Sequence, residues 1–418
     1  MAEILHLQDT VSGAIFSPTQ AEYFNPAIGQ VATLDVLYDY ERLRSTLDRD
    51  RLMANPNRGM WRYRELLPLA SDAPVPPLAV GGTPLYEAPR LAQALGLARA
   101  WVKDDGANPT ASLKDRASSM VVAVAMSRGI TTVSTASTGN AAAALAGVGA
   151  SIHQAMDIVI FVPSSAPIAK IAQLLVYGAR VVLVKGTYDQ AFDLCYDVCL
   201  EKGWYCRNTG INPYTTEGKK TVSFEIAEQL QWQVPDVVVV SVGDGSIIGG
   251  IHKGFVELHQ LGWIDKVPRL IGVQAQGSSP LVQAWQDNMD ATDMQPMQVS
   301  TLADSISAGL PRDRMKALRA VRSTQGALVA VTDDEIVASI PKFARLTGVF
   351  AEPSSSAIYA GIERAIQLGY IHSEESVVFV STGNGLKDVA RAQQSVTQNG
   401  LLVEPDLNSV LKAINQAW

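Results

Sequence analysis

The run Val237-Val238-Val239-Val240 is apolar on both faces of any strand it forms. A strand with one wet face alternates polar and apolar residues. An unbroken β-branched run therefore belongs inside a sheet covered by helices on both sides. Comparable runs recur, and strands are expected at 100–103, 157–163, 179–185, 236–242, 270–276 and 377–381. Helical stretches at 168–177, 188–202, 221–230 and 251–261 alternate with them. The alternation predicts an open, doubly wound α/β protein with right-handed crossovers.

The 418 residues hold enough material for two or three domains. A net charge of −7 and the lack of a basic cluster argue against a nucleic-acid partner. The opening residues, Met1 to His6, carry neither a basic segment nor a long apolar one, and no apolar run reaches membrane-spanning length. A cytoplasmic protein with no membrane partner is expected. The three cysteines, Cys195, Cys199 and Cys206, are an odd number without a secretory signal. They read as buried thiols rather than a disulfide framework or a metal site. Residues 1–69 read as an N-terminal arm, and 389–418 as an amphipathic terminal helix after a short loop. There are no internal repeats.

Four segments carry candidate chemistry. In Asn108-Pro109-Thr110-Ala111-Ser112-Leu113-Lys114-Asp115-Arg116, a lysine stands at the mouth of an alanine-rich helix expected from 117 to 128. Partial burial and the positive helix end both disfavour its charged form, and a neutral amine can form a Schiff base with an aldehyde. A plain surface lysine is the competing reading. Ser137-Thr138-Gly139-Asn140 opens another helix and offers hydroxyls, an amide and free N–H groups to a small anion such as a carboxylate; a simple helix cap fits equally. Gly243-Asp244-Gly245-Ser246-Ile247 follows the valine strand and has the composition of a phosphate cradle. Its GxGxxxG spacing is not the dinucleotide fingerprint, and the next strand ends at Gln276 rather than at an acid for a ribose. Thr382, in Ser381-Thr382-Gly383-Asn384-Gly385-Leu386-Lys387-Asp388, places a hydroxyl at the end of the last buried strand.

In this order the segments resemble pyridoxal-phosphate enzymes of the tryptophan-synthase-β structural class (fold type II), and within it the threonine synthase family. Arg62-Tyr63-Arg64, Gly82-Thr83-Pro84-Leu85, Glu217-Gly218-Lys219-Lys220-Thr221 and Ala351-Glu352-Pro353 extend the match over residues 60–390. The resemblance implies two open doubly wound α/β domains with pyridoxal 5'-phosphate in the cleft between them. The large domain would take 70–112 plus 216–418, and the small one 113–215. It implies that Lys114 holds the cofactor and that Asn140 bonds its phenolic oxygen. Gly243, Asp244, Gly245, Ser246 and Ile247 would hold its phosphate, and Thr382 would face its ring nitrogen. Ser137 and Thr138 would bind the substrate carboxylate, with Asn208 and Thr209 near the substrate phosphate. The implied reaction converts O-phospho-L-homoserine and water to L-threonine and phosphate in a homodimeric lyase of amino-acid biosynthesis.

The chain departs from the family pattern at Thr215, where an arginine commonly stands. A hydroxyl cannot replace a bidentate guanidinium on a phosphate dianion. Arg312 is a candidate for the missing charge, and Lys219 and Lys220 are others, although two lysines at a helix start are usually solvated. The loss keeps open a β-elimination or replacement enzyme of the same fold, such as a serine/threonine ammonia-lyase or a phosphoserine-using synthase. Ala111 and Leu113 replace the more usual Gly and Phe and are read as packing changes.

Overall fold

The computed structural model describes residues 4–397 and 400–417. Residues 1–3 of the expected arm and Trp418 of the expected terminal helix lie outside them.

The valine run forms the strand Val237–Ser241, every residue of it buried. It lies inside a six-stranded sheet ordered Ala327–Val331, Arg269–Ala275, Val237–Ser241, Ser376–Ser381, Arg99–Asp104 and Leu85–Glu87. All pairings are parallel except the last. Val238 stands opposite Leu270 on one side and Val378 on the other. The chain builds outward from Val237–Ser241 in one direction, while Ser376–Ser381 and Arg99–Asp104 lie in the other. Such a reversal leaves a crevice beyond the carboxyl ends of the neighbouring strands.

A second, all-parallel sheet is ordered Arg180–Val184, Asp157–Pro163, Thr132–Ala136 and Tyr205–Cys206. The strands Thr132–Ala136 and Ala327–Val331 were not expected, because hydroxyls in one and alanines in the other dilute the β-branched signal.

The helix expected from 251 begins at Ser246, inside the stretch read as a glycine loop. Gly249 and Gly250 are there for close packing. A Cβ on either would lie 2.8 Å from Lys316 Cβ or Lys219 Cβ, respectively. The helix after the candidate lysine likewise starts earlier than expected, at Lys114 itself.

The N-terminal arm contains a three-stranded antiparallel sheet of Ile15–Phe16, Ile4–Asp9 and Leu34–Tyr38. Lysines hold it to the body by its backbone carbonyls: Lys316 Nζ donates to Leu34 O at 2.9 Å and Lys253 Nζ to Val36 O. Tyr38 Oη donates to Glu217, and Lys220 pairs with Glu217 and Glu257 at 2.6 and 2.8 Å. The expected solvation of Lys219 and Lys220 is therefore wrong. Both are fully buried. The three cysteines are buried and free. The C-terminal region forms two helices, Val389–Gln394 and Leu407–Ala417, rather than one. Among the described residues, no helix is long and apolar enough to cross a membrane.

Candidate active site

Three adjacent strands deliver three of the candidate segments to one crevice. Arg99–Asp104 leads to Lys114, Ser376–Ser381 to Thr382, and Val237–Ser241 to residues 243–247. The segment before Lys114 is stitched to the one after Thr382. Leu113 N donates to Thr382 O at 2.9 Å, and Asn384 N to Ala111 O at 3.1 Å. Asp115 closes the turn by accepting from Thr110 N at 2.7 Å and from the Thr110 hydroxyl. Burial pushes the Asp115 carboxyl up to about 6. Arg116 is fully buried between Asp105 and Glu225. The surface-lysine reading fails here, because both residues after Lys114 are interior.

Ala111 has φ of 65°. This left-handed conformation costs a non-glycine residue about 1–2 kcal/mol. The replacement of glycine at 111 is thus a backbone matter as well as a packing change.

Lys114 Nζ donates to no protein atom among the described residues. Burial lowers its pKa to about 8, and the Arg207 charge adds to that, against Glu352 and Asp244, which favour the charged form. About a tenth of the amine is then neutral at pH 7, far more than for a free lysine.

Ser137-Thr138-Gly139 sits at the carboxyl end of Thr132–Ala136 and opens the helix Asn140–Ser151. Ser137 Oγ accepts from Gly139 N at 3.2 Å, and Asn140 Nδ2 donates to Glu352. No side-chain cap closes this helix. The Thr382 and Ser355 hydroxyls are 2.9 Å apart. At the glycine loop, Gly245 has φ of +88°, and a Cβ there would lie 2.7 Å from Ala317 Cβ. Lys219 Nζ donates to Ser246 Oγ at the first turn of the following helix.

A cavity of about 510 Å3 is lined by Thr138, Asn140, Glu352, Asn384, Lys387 and Lys170 among others. Neither Lys114 nor residues 243–247 line it. Glu352, which lines it, also favours the charged form of Lys114.

The other expected positions fare differently. Asn208 Oδ1 accepts from Ala136 N at 2.7 Å and Thr135 Oγ1 at 3.2 Å, and its Nδ2 donates to Phe192 O. Its side chain ties the strand Thr132–Ala136 to the helix Tyr188–Lys202. Thr209 Oγ1 accepts from Arg207 Nη1 at 3.0 Å. Thr215 is buried and donates to Asn212 O. The Arg312 guanidinium lies over the Phe192 ring and near Asp189 and Asp193, on the helix Tyr188–Lys202. Two side chains were missed: Glu352 was seen as part of a motif without a role, and Arg207 adjoined one. Lys219, a candidate for the missing charge, is buried rather than solvated.

A family model for pyridoxal-phosphate dependent enzymes matches residues 77–383. The chain belongs to that family. It is 40% identical over 382 residues to a threonine synthase of Methanocaldococcus jannaschii, which spans 91% of this chain and 93% of the relative. It is 39% identical to one of Methanosarcina acetivorans, over 91% and 92%. A third, of Halalkalibacterium halodurans, is 36% identical over 85% and 97%. Among solved structures, a threonine deaminase isoform 2 from Solanum lycopersicum superposes with a TM-score of 0.65 at 22% identity, covering 85% of this chain and 95% of that one. That likeness speaks to the fold.

The family's cofactor fits the residues present. It needs an amine for an aldehyde and cations with backbone donors for a phosphate. Lys114 is such an amine. Lys219 is fully buried without a carboxylate partner among the described residues, and the helix from Ser246 opens beside it.

Proposed function

We propose that this chain is a pyridoxal-phosphate-dependent lyase that converts O-phospho-L-homoserine and water to L-threonine and phosphate. The observation that carries the reading is Lys114, an unpaired amine with pKa lowered to about 8 at the crevice where the sheet order reverses. The 40% identity to a threonine synthase over 91% of the chain supports the choice of substrate.

Pyridoxal 5'-phosphate, when bound, supplies an aldehyde for an amine and a ring that accepts electrons from the substrate carbon. The chain's own residues do the rest. Lys114 would hold the cofactor, and its amine, beside the substrate, would remove protons at Cα and Cβ, deliver one to Cγ and restore the one at Cα, the third proton (from the added water) leaving with the phosphate. The phosphate of the substrate leaves from Cγ, and water adds at Cβ. Ser137, Thr138 and the N–H groups of the helix start hold the substrate carboxylate. Asn140, whose amide nitrogen donates to Glu352 and to Ser305 Oγ at 3.5 Å, would offer that amide to the phenolic oxygen of the ring. The N–H groups of Gly243, Asp244, Gly245, Ser246 and Ile247 hold the cofactor phosphate. Thr382 offers a hydroxyl to the ring nitrogen. A carboxylate there would keep that nitrogen protonated, so a hydroxyl suits elimination and replacement better than racemisation.

The small domain is taken as 113–215 and the large as 70–112 plus 216–418, with 1–69 as an arm. The confinement of the second sheet to residues 132–206 supports this division. A cytoplasmic homodimer is the assembly the family suggests.

The test is turnover by purified holoprotein of O-phospho-L-homoserine, L-serine, L-threonine and O-phospho-L-serine, one at a time. Phosphate and threonine in equal amounts from the first are expected. Turnover of only the other three would assign the chain to the β-elimination and replacement group.

A further inference from the structure

Among the described residues, most buried cations meet a carboxylate, and Arg314 instead donates to the carbonyls of Ala291 and Pro311. Arg116 meets Asp105 and Glu225, Lys103 meets Glu225, Lys220 and Lys253 meet Glu217 and Glu257, and Arg62 meets Glu228. Arg207 and Lys219 are different. Both are 0% exposed. Arg207 Nε donates to Ser118 Oγ at 3.2 Å and Nη1 to Thr209 Oγ1 at 3.0 Å, while Nη2 has no partner. Lys219 donates to Ser246 Oγ alone. The two cations and Lys114 lie close enough to disfavour one another's charge, with Asp244 and Asp313 facing Lys219 without an ion-pair contact. An unpaired buried charge costs several kcal/mol, so a fold that keeps two such cations beside a lysine is arranged for an anion.

The proposed reaction brings two phosphates, and position separates them. Lys219 stands at Ser246, where the glycine loop turns into its helix, and so serves the cofactor phosphate. Arg207 belongs to the other sheet. It directly follows the strand Tyr205–Cys206, and its N–H donates to Ser134 O at 2.7 Å on the strand that ends in Ser137 and Thr138. It therefore shares its sheet with the loop that receives the substrate carboxylate.

We propose that Arg207 is the specificity residue for the leaving phosphate of the substrate, with Nη2 as the donor and Thr209 fixing the guanidinium plane. The inference rests on the function proposed above. It also removes the need for charge at Thr215 or from Arg312, whose guanidinium is turned to Asp189 and Asp193. A planar fork gives two parallel donors to a phosphate, which a lysine cannot reproduce.

The test uses the holoproteins of wild type, Arg207→Gln and Arg207→Lys, with thermal melts to establish folding. For Arg207→Gln, the KM for O-phospho-L-homoserine and the inhibition constant of inorganic phosphate should both rise about 10- to 100-fold. The pH at which Lys114 captures pyridoxal 5'-phosphate should rise, because the Arg207 charge lowers the Lys114 pKa, but affinity for the cofactor above that pH should not change. Arg207→Lys should fall between the two. Unchanged phosphate inhibition would overturn the proposal. So would weakened cofactor binding with intact phosphate inhibition, which would place Arg207 on the cofactor. Should wild type not turn over O-phospho-L-homoserine, the function falls. Calorimetric binding of inorganic phosphate to the same holoproteins then decides Arg207, with loss in Arg207→Gln supporting an anion site and equal binding removing it.

Discussion

Asn140 Nδ2 donates to both carboxylate oxygens of Glu352, at 2.9 and 3.1 Å. The contact joins the helix Asn140–Ser151 to the helix Pro353–Gln367 across the mouth of the crevice. Burial raises the Glu352 pKa, while the Asn140 bond and the Lys114 charge favour its ionised form. Glu352 in turn is the first of the groups that favour a charged Lys114.

Glu352→Gln removes that negative charge and leaves the amide contact. The pKa of Lys114 should then fall further below about 8, by about one unit. The rate at which apoprotein captures pyridoxal 5'-phosphate, followed by absorbance against pH, reads this directly. Its midpoint should move to lower pH. A midpoint that stays in place would mean that Glu352 acts on Asn140 alone.

Lys114→Met should stabilise the apoprotein while abolishing activity. The folded-state pKa of Lys114 lies near 8 and the unfolded one near 10.5. Below about pH 8 both states are protonated, so the cost of the buried charge is fully present. Between these values the unfolded state binds more protons, and wild-type stability rises with pH. The variant should gain about 2 kcal/mol at pH 7, allowing for the partial exposure of Lys114, and the gain should vanish above about pH 10.5. Urea melts at the two ends of this range measure it. An equal or less stable variant at pH 7 would contradict the pKa argument.

Much of this was legible in the chain. The unbroken Val237 to Val240 run fixes a doubly covered parallel strand, and strand ends then place Lys114, Thr382 and the glycine loop together. What stayed hidden depends on distant partners. Lys219 and Lys220 look like a solvated pair until a folded N-terminal sheet and a glycine-lined helix enclose them. Arg207 carries no local mark, because its isolation from carboxylates is a property of three dimensions. The Thr132–Ala136 strand was missed because serine and threonine have weaker burial signals than valine.

Gly245→Ala should destabilise the protein by about 2–4 kcal/mol, combining a left-handed backbone with overpacking. The φ of +88° and the 2.7 Å approach to Ala317 Cβ leave no relaxed position for a methyl group. Cofactor affinity should fall as well, since the first turn of the helix must move. Equilibrium denaturation with a cofactor titration checks both. A stable variant with unchanged affinity would show that this loop does not hold the phosphate.

Asp35→Ala tests how the N-terminal sheet is held. Burial pushes the Asp35 pKa up, but Lys316, Arg319 and Lys253 together hold it well below the usual carboxylate range. Removing it leaves buried Lys316 with Asp313 as its remaining carboxylate and should cost about 1–3 kcal/mol. A carboxylate with a lowered pKa stabilises above its unfolded pKa, so the wild-type advantage should be complete above about pH 5 and shrink in acid. Chemical denaturation of the pair at neutral and acid pH gives the comparison. A difference under 1 kcal/mol at pH 7 would mean that the carbonyl contacts, Tyr38 and the apolar face dock the sheet without help from Asp35.

The most direct measurement is borohydride reduction of the holoprotein followed by peptide mapping in a mass spectrometer. The account predicts a single reduced cofactor adduct, on the peptide containing Lys114. An adduct on Lys219, Lys387 or another lysine, or none at all, would contradict it.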